Sequence, residues 1–217
     1  MTARIVFDLD GTLIDSAPDI QGVANAVLQD MGVEPISLND TRNFIGEGIH
    51  VLVSKVRAAR DISDSAQEPM LDAFIARYDE AVTLTVLYPG VRDALETLVH
   101  SHRLGICTNK LYRPCVAVLK HLELDGFFGS VWGGDNPLGR KPDPSALLAA
   151  FEALGDGPPI YVGDSEVDAE TARRASIPFF LFTEGYRKQS VDTMHHDVAF
   201  GNFEDLPELV ETHIRQL

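Results

Sequence analysis

The chain is poor in cysteine. Only Cys107 and Cys115 occur in 217 residues. They form no CxxC pair and no cluster, which argues against a thiolate zinc site and a disulfide framework. Both stand in apolar surroundings and read as reduced thiols packed like small apolar residues. Positive charge is also scarce, with 18 Lys and Arg against 33 Asp and Glu, a net charge of −15. Such a field repels nucleic acid and anionic membrane, so neither is expected as a partner. It also repels small anions, so an anionic substrate would need a local lysine, arginine or metal. No apolar run approaches the length of a membrane span, and no signal-peptide core is visible at the N-terminus; a cytoplasmic address is expected. Walker A, HExxH, GxSxG and EF-hand patterns are missing, as is GxGxxG after a strand.

What remains is the balance of a folded protein, 45% hydrophobic and 24% charged. A chain of this length buries about 70% of its unfolded surface, enough to fold without a disulfide or metal.

The run Ile5-Val6-Phe7 is broken at once by Asp8-Leu9-Asp10-Gly11-Thr12. A β-branched and aromatic run ended by Asp and Gly predicts a buried central strand closed by a loop. The following residues change character. Ile20, Val23, Val27, Leu28 and Met31 recur at helical spacing, as do Ile49, Leu52, Val53 and Val56, and Met70, Leu71, Phe74, Ile75, Tyr78 and Val82. Three helices are expected there, with Asp61 to Glu68 as a polar loop. Residues 16–86 thus read as a small all-α unit inserted after the first strand, and residues 1–15 and 87–217 as the main unit. From Tyr88 onward helices alternate with strands at 104–107, 131–132, 160–162 and 179–182. That alternation predicts an α/β fold, a doubly wound parallel sheet covered on both faces. Ligands bind such sheets at the carboxyl ends of the strands.

Chemistry collects at those ends. Asp8 and Asp10 follow the first strand, and Thr108, Asn109 and Lys110 follow the second. Lys141, flanked by Pro142 and Pro144, comes after the third, and Asp164 and Asp168 come after the fourth. Two carboxylates two residues apart face the same way in extended chain. They suit a nucleophile with an acid/base partner, or a metal site; Asp-Gly-Thr is also ordinary turn chemistry. Taken singly, each of the other groups fits a cap, a turn or a surface charge. Together they form hard oxygen ligands suited to Mg²⁺, with a lysine and a hydroxyl, a clamp for a phosphoryl group.

DLDGTLIDS at 8–16, CTNK at 107–110, GRKPDP at 139–144 and VGDSEVD at 162–168 together resemble the haloacid dehalogenase-like superfamily of phosphohydrolases. The likeness runs over essentially the whole chain, and the helical insertion resembles that superfamily's small cap. Within it, the chain is most similar to the phosphoglycolate phosphatases, through Thr108-Asn109-Lys110, Gly133-Gly134-Asp135 and Gly46-Glu47-Gly48. Leu111 departs from the proline those phosphatases often carry there.

The resemblance implies an Mg²⁺-dependent phosphomonoesterase acting on a small phosphorylated metabolite, with 2-phosphoglycolate foremost, as a monomer or homodimer. It makes Asp8 the nucleophile that carries an aspartyl-phosphate, and Asp10 the acid and base. Thr108 and Lys141 would hold phosphoryl oxygens, and Asn109 would lie near them. Asp8, the Asp10 carbonyl and Asp164 would bind the metal, with Asp168 orienting Lys141 or metal waters. Gly11 lets the chain turn so that both aspartates face the cleft. The alternatives are a pyrophosphatase, a phosphosugar phosphatase or mutase, and a phosphate-binding scaffold on the same fold. In the insertion, Gly46 and Gly48 would offer backbone amides, and Arg42 is expected to grip the substrate's organic carboxylate.

Overall fold

The computed structural model describes all 217 residues. Arg4–Phe7 forms β1 and Ile14–Asp15 the short β2. The helices Ala17–Asp30 (α1), Leu38–Phe44 (α2), Ile49–Ala58 (α3) and Gln67–Tyr78 (α4) follow, then Val86–Leu87 (β3). The remainder alternates: Val91–Val99 (α5), Arg103–Cys107 (β4), Tyr112–His121 (α6), Phe128–Trp132 (β5), Ser145–Ala153 (α7), Pro159–Gly163 (β6), Glu166–Ala175 (α8) and Phe179–Phe182 (β7). Val198–Phe200 (β8) and Leu206–Ile214 (α9) end the chain.

Six strands form one parallel sheet in the order β5-β4-β1-β6-β7-β8. The expected α/β architecture is therefore present, and β1 is central, with Phe7 paired to Ile106 on one side and Val162 on the other. Strand alternation divides the core. Ile5, Phe7, Leu104, Ile106 and Val162 pack with α5, α6 and α9 on one face. Val6, Tyr161, Phe179 and Leu181 pack with α7 and α8 on the other. Burial on both faces explains why these strands read as continuous apolar runs. Because every strand is parallel, all their carboxyl ends lie along one edge.

The four helices between β2 and β3 bury their own cluster, including Ile20, Val27, Leu52, Met70 and Phe74. Both chain connections to this helical unit pass through one antiparallel ribbon, Ile14 beside Leu87 and Asp15 beside Val86. Four helices stand where three apolar stripes were read. The extra one, α2, buries only Thr41 and is held by a Ser37–Asp40 capping box, so it has no stripe to detect. Strand β8 is a three-residue edge and left no run to read. Helix α9 completes the α5–α6 face through Leu206, Val210 and Ile214. No helix is long and apolar enough to cross a membrane.

Candidate active site

β1 delivers Asp8 still within the sheet, since its N–H donates to Val162 O at 2.8 Å. The chain then turns sharply, with the amides of Thr12, Leu13 and Ile14 all closing on Leu9 O. Gly11 makes the turn at φ +90°, and a β-carbon there would stand 2.5 Å from Asp164 Oδ2. Only glycine satisfies both demands.

Asp164 follows β6 and meets this turn. Its Oδ1 accepts from Thr12 Oγ1 at 2.8 Å and its Oδ2 from the Tyr186 N–H at 2.6 Å. Asp168 sits one helical turn on, in the capping box of α8: its Oδ2 accepts from Ser165 N at 3.1 Å and Ser165 Oγ at 2.6 Å. Its Oδ1 accepts from Lys141 Nζ at 2.6 Å and Tyr161 Oη at 2.7 Å. Lys141 Nζ also lies 2.8 Å from Asp8 Oδ1, but that oxygen is left without an aligned hydrogen bond. Asp8 is thus paired by charge and still open to a further ligand.

Carboxylate oxygens of Asp8, Asp164 and Asp168 lie within 4.8 Å of one another, all buried. Asp168 has both oxygens saturated by protein donors, so Asp8 and Asp164 are the carboxylates with capacity for a cation. Burial, and then the Asp168 charge, push the Asp8 carboxyl up to about 7 against the pull of Lys141. Burial likewise raises Asp164 well above the ordinary range, with Asp168 and Asp8 adding to it. Burial also acts on Asp168, but Lys141 overrides it and holds this carboxyl low. Burial works against the charge of Lys141, yet Asp168 and Asp8 keep it above the usual lysine range. One ammonium beside three buried acids leaves a deficit of positive charge. A hard divalent cation fits that deficit, the all-oxygen donors and the open Asp8 oxygen.

A small cavity of about 40 Å³ opens beside Asp8 and Asp10, roofed by the helical unit. Its walls include Ile20, Ile49, Leu52 and Phe74, with Gly46 and Gly48 on the helical side and Thr108 and Lys110 on the sheet side. Asp10 Oδ1 accepts from Ser16 Oγ at 2.5 Å and from Lys110 Nζ at 3.2 Å. A carboxyl held at two points faces the cavity at a defined angle.

The structure brings Asp8, Asp10, Thr108, Lys141, Asp164 and Asp168 to one place. Two expectations read differently. Arg42 does not reach the cavity. Its partly exposed guanidinium pairs with Asp15 Oδ2 at 2.9 Å. Asn109 lines the cavity, but its amide is saturated. Nδ2 donates to Gly46 O and Lys141 O, both at 3.0 Å, and Oδ1 accepts from Lys141 N at 2.9 Å. It straps the helical unit to the Lys141 loop while lining the cavity that Asp8 shares.

Several members were missing from the sequence reading. Tyr161, inside a strand, holds the Lys141–Asp168 pair. Tyr186 Oη donates to Asp15 at 2.6 Å and accepts from the Ser16 and Ala17 amides at the start of α1. Tyr78 contacts Lys110 from α4. Ser16 and Lys110 did stand inside the quoted motifs; the tyrosines carried no local signal.

The comparisons agree with this geometry. A family model described as haloacid dehalogenase-like hydrolase matches residues 5–182. The chain belongs to that family. It is 43% identical over 211 residues to a phosphoglycolate phosphatase of Cereibacter sphaeroides, spanning 95% of this chain and 96% of that one. It is 40% identical over 216 residues to a phosphoglycolate phosphatase of Rhodobacter capsulatus, spanning 97% and 98%. Among solved structures, a protein described as a predicted phosphoglycolate phosphatase from Haemophilus somnus 129PT superposes with a TM-score of 0.88 at 27% identity, covering 96% and 98%.

Proposed function

We propose that this protein is a phosphatase that hydrolyses 2-phosphoglycolate to glycolate and phosphate, using Mg²⁺ and an aspartyl-phosphate on Asp8. The observation that carries the reading is the buried Asp8 Oδ1, beside Lys141 but without a hydrogen bond, on a residue that lines a cavity of about 40 Å³. That space suits a two-carbon ester better than a sugar in this closed arrangement. Relatives named phosphoglycolate phosphatase over nearly the full chain support the same substrate. The helical unit of residues 16–86 acts as the cap that sets the cavity's size. Two unpaired buried cysteines suit a reducing, cytoplasmic setting.

Asp8 and Asp164, with the Asp10 carbonyl, would hold Mg²⁺, which supplies charge neutralisation for the phosphoryl oxygens when bound. Asp8 attacks phosphorus as its carboxylate, and the ester P–O bond breaks. Asp10 gives its proton to the departing alkoxide. Asp10, now a carboxylate, takes a proton from water, whose oxygen attacks phosphorus and releases Asp8. The second step reverses the proton demand of the first, so one carboxyl serves both. Lys141 and Thr108 hold phosphoryl oxygens, while Asp168 and Tyr161 keep the ammonium in place.

A panel of phosphomonoesters assayed with Mg²⁺ tests the reading. The highest kcat/KM is expected for 2-phosphoglycolate, with hexose phosphates and pyrophosphate far below. Preference for a sugar phosphate would overturn the substrate; no phosphate release from any ester would overturn the activity.

A further inference from the structure

Lys110 is the only cationic side chain lining the cavity. Its ammonium donates to Tyr78 Oη at 2.6 Å and to Asp10 Oδ1 at 3.2 Å. An ammonium carries three donors, so one hydrogen has no partner in the protein. The same nitrogen stands 4.4 Å from the centre of the Tyr78 ring, a cation–π distance. The ammonium, paired with Asp10, thus stands in a cavity half of whose walls are apolar.

Charge of this kind needs a reason. Balancing Asp10 alone would not require a lysine that lines the cavity and reaches across to α4. No other cationic side chain lines the cavity: Lys141 stands at the phosphate end between Asp8 and Asp168, and Arg42 pairs with Asp15. A pocket whose single cation keeps one free donor discriminates by charge, since a neutral substituent leaves that donor poorly matched.

We propose that Lys110, steadied by Tyr78, is the residue that recognises the carboxylate at the organic end of the substrate. This rests on the 2-phosphoglycolate reading above. Because Tyr78 belongs to the helical unit and Lys110 to the sheet, the recognising group is assembled only when the two are together. Recognition of the anionic end is thereby tied to the closed cavity.

The test compares kcat/KM for 2-phosphoglycolate with that for 2-hydroxyethyl phosphate, which has a similar size but no carboxylate. The quantity read is the ratio of the two, whatever happens to absolute rates through Asp10. Lys110→Met is expected to lower the ratio by about 10- to 100-fold, the loss of one charge-assisted contact. Tyr78→Phe keeps the ammonium and the ring but removes the hydroxyl that steadies it, and is expected to lower the ratio by several-fold, less than Lys110→Met does. If Lys110→Met fails to unfold cooperatively, Lys110→Gln is read in its place. An unchanged ratio in the Lys110 variant shows that the lysine serves Asp10 alone and overturns the proposal. A larger collapse in Tyr78→Phe than in Lys110→Met assigns recognition to the phenol and overturns it too. A wild-type ratio near one, seen before any variant is made, defeats the substrate reading itself.

Discussion

Lys141 Nζ lies 2.6 Å from Asp168 Oδ1 where the side chains are 2% and 0% exposed. The pair anchors the phosphate end of the site, because the same ammonium stands 2.8 Å from Asp8. Replacing it by Lys141→Met would leave three buried acids with no cation. Removing one partner of a buried pair costs about 3–5 kcal/mol. Urea unfolding of the metal-free variant should show a loss of that size. Lys141→Arg should not restore stability or activity, since a planar fork does not fit between Asp8, Asp168 and Tyr161. A fully stable Lys141→Met protein would show that the acids are neutral rather than paired.

Asp8 should behave oppositely. Asp8→Asn is expected to abolish turnover while leaving the metal-free fold as stable as the wild type or more so, because it removes one repelling charge. The pH dependence follows from the same carboxyl, pushed up to about 7. A raised carboxyl contributes stability that is complete below the unfolded value of 3.8 and is lost as pH rises through about 7. The melting temperature in EDTA should therefore fall from about pH 4 to about pH 7 and level off above that. A cation binds the ionised form, so the stabilisation from added Mg²⁺ should grow over the same interval. A magnesium effect independent of pH would contradict the assignment of Asp8 to the metal.

Asp10→Asn should discriminate between leaving groups. Loss of a general acid costs about 10²–10⁴-fold for a poor alkoxide leaving group. An aryl phosphate, whose leaving group needs little protonation, should form the phosphoenzyme with a much smaller loss. Pre-steady-state bursts of aryl alcohol and alkyl ester turnover make the comparison. Identical losses would remove Asp10 from the acid role.

Tyr186 ties the metal-side loop to the ribbon: its N–H serves Asp164, and its hydroxyl serves Asp15, Ser16 and Ala17. Tyr186→Phe removes the acceptor for two buried amides at the start of α1. An unsatisfied buried donor costs about 1–3 kcal/mol, which denaturant titration should detect. No change in stability would mean that water or a shifted loop replaces the phenol.

The sequence by itself determined the layers and the edge where chemistry gathers. Apolar runs such as Ile5-Val6-Phe7, alternating with helical stripes, imply a parallel sheet, and a parallel sheet brings Asp8, Thr108, Lys141 and Asp164 to one rim whatever the details of packing. Periodicity reports burial, so α2, with Thr41 alone buried, escaped it. Partnership was decided only in three dimensions. Arg42 and Lys110 are both cations near motif residues, yet one pairs with Asp15 away from the cavity lining and the other lines the cavity. Asn109 became a strap because Gly46 and the Lys141 backbone, both far from it in the chain, converge on its amide. Tyr161 and Tyr186 became site members through neighbours that no local window contains. Strand and helix patterns arise from interactions a few residues apart. Hydrogen bonds and ion pairs depend on ångström distances between segments, and those exist only once the chain has packed.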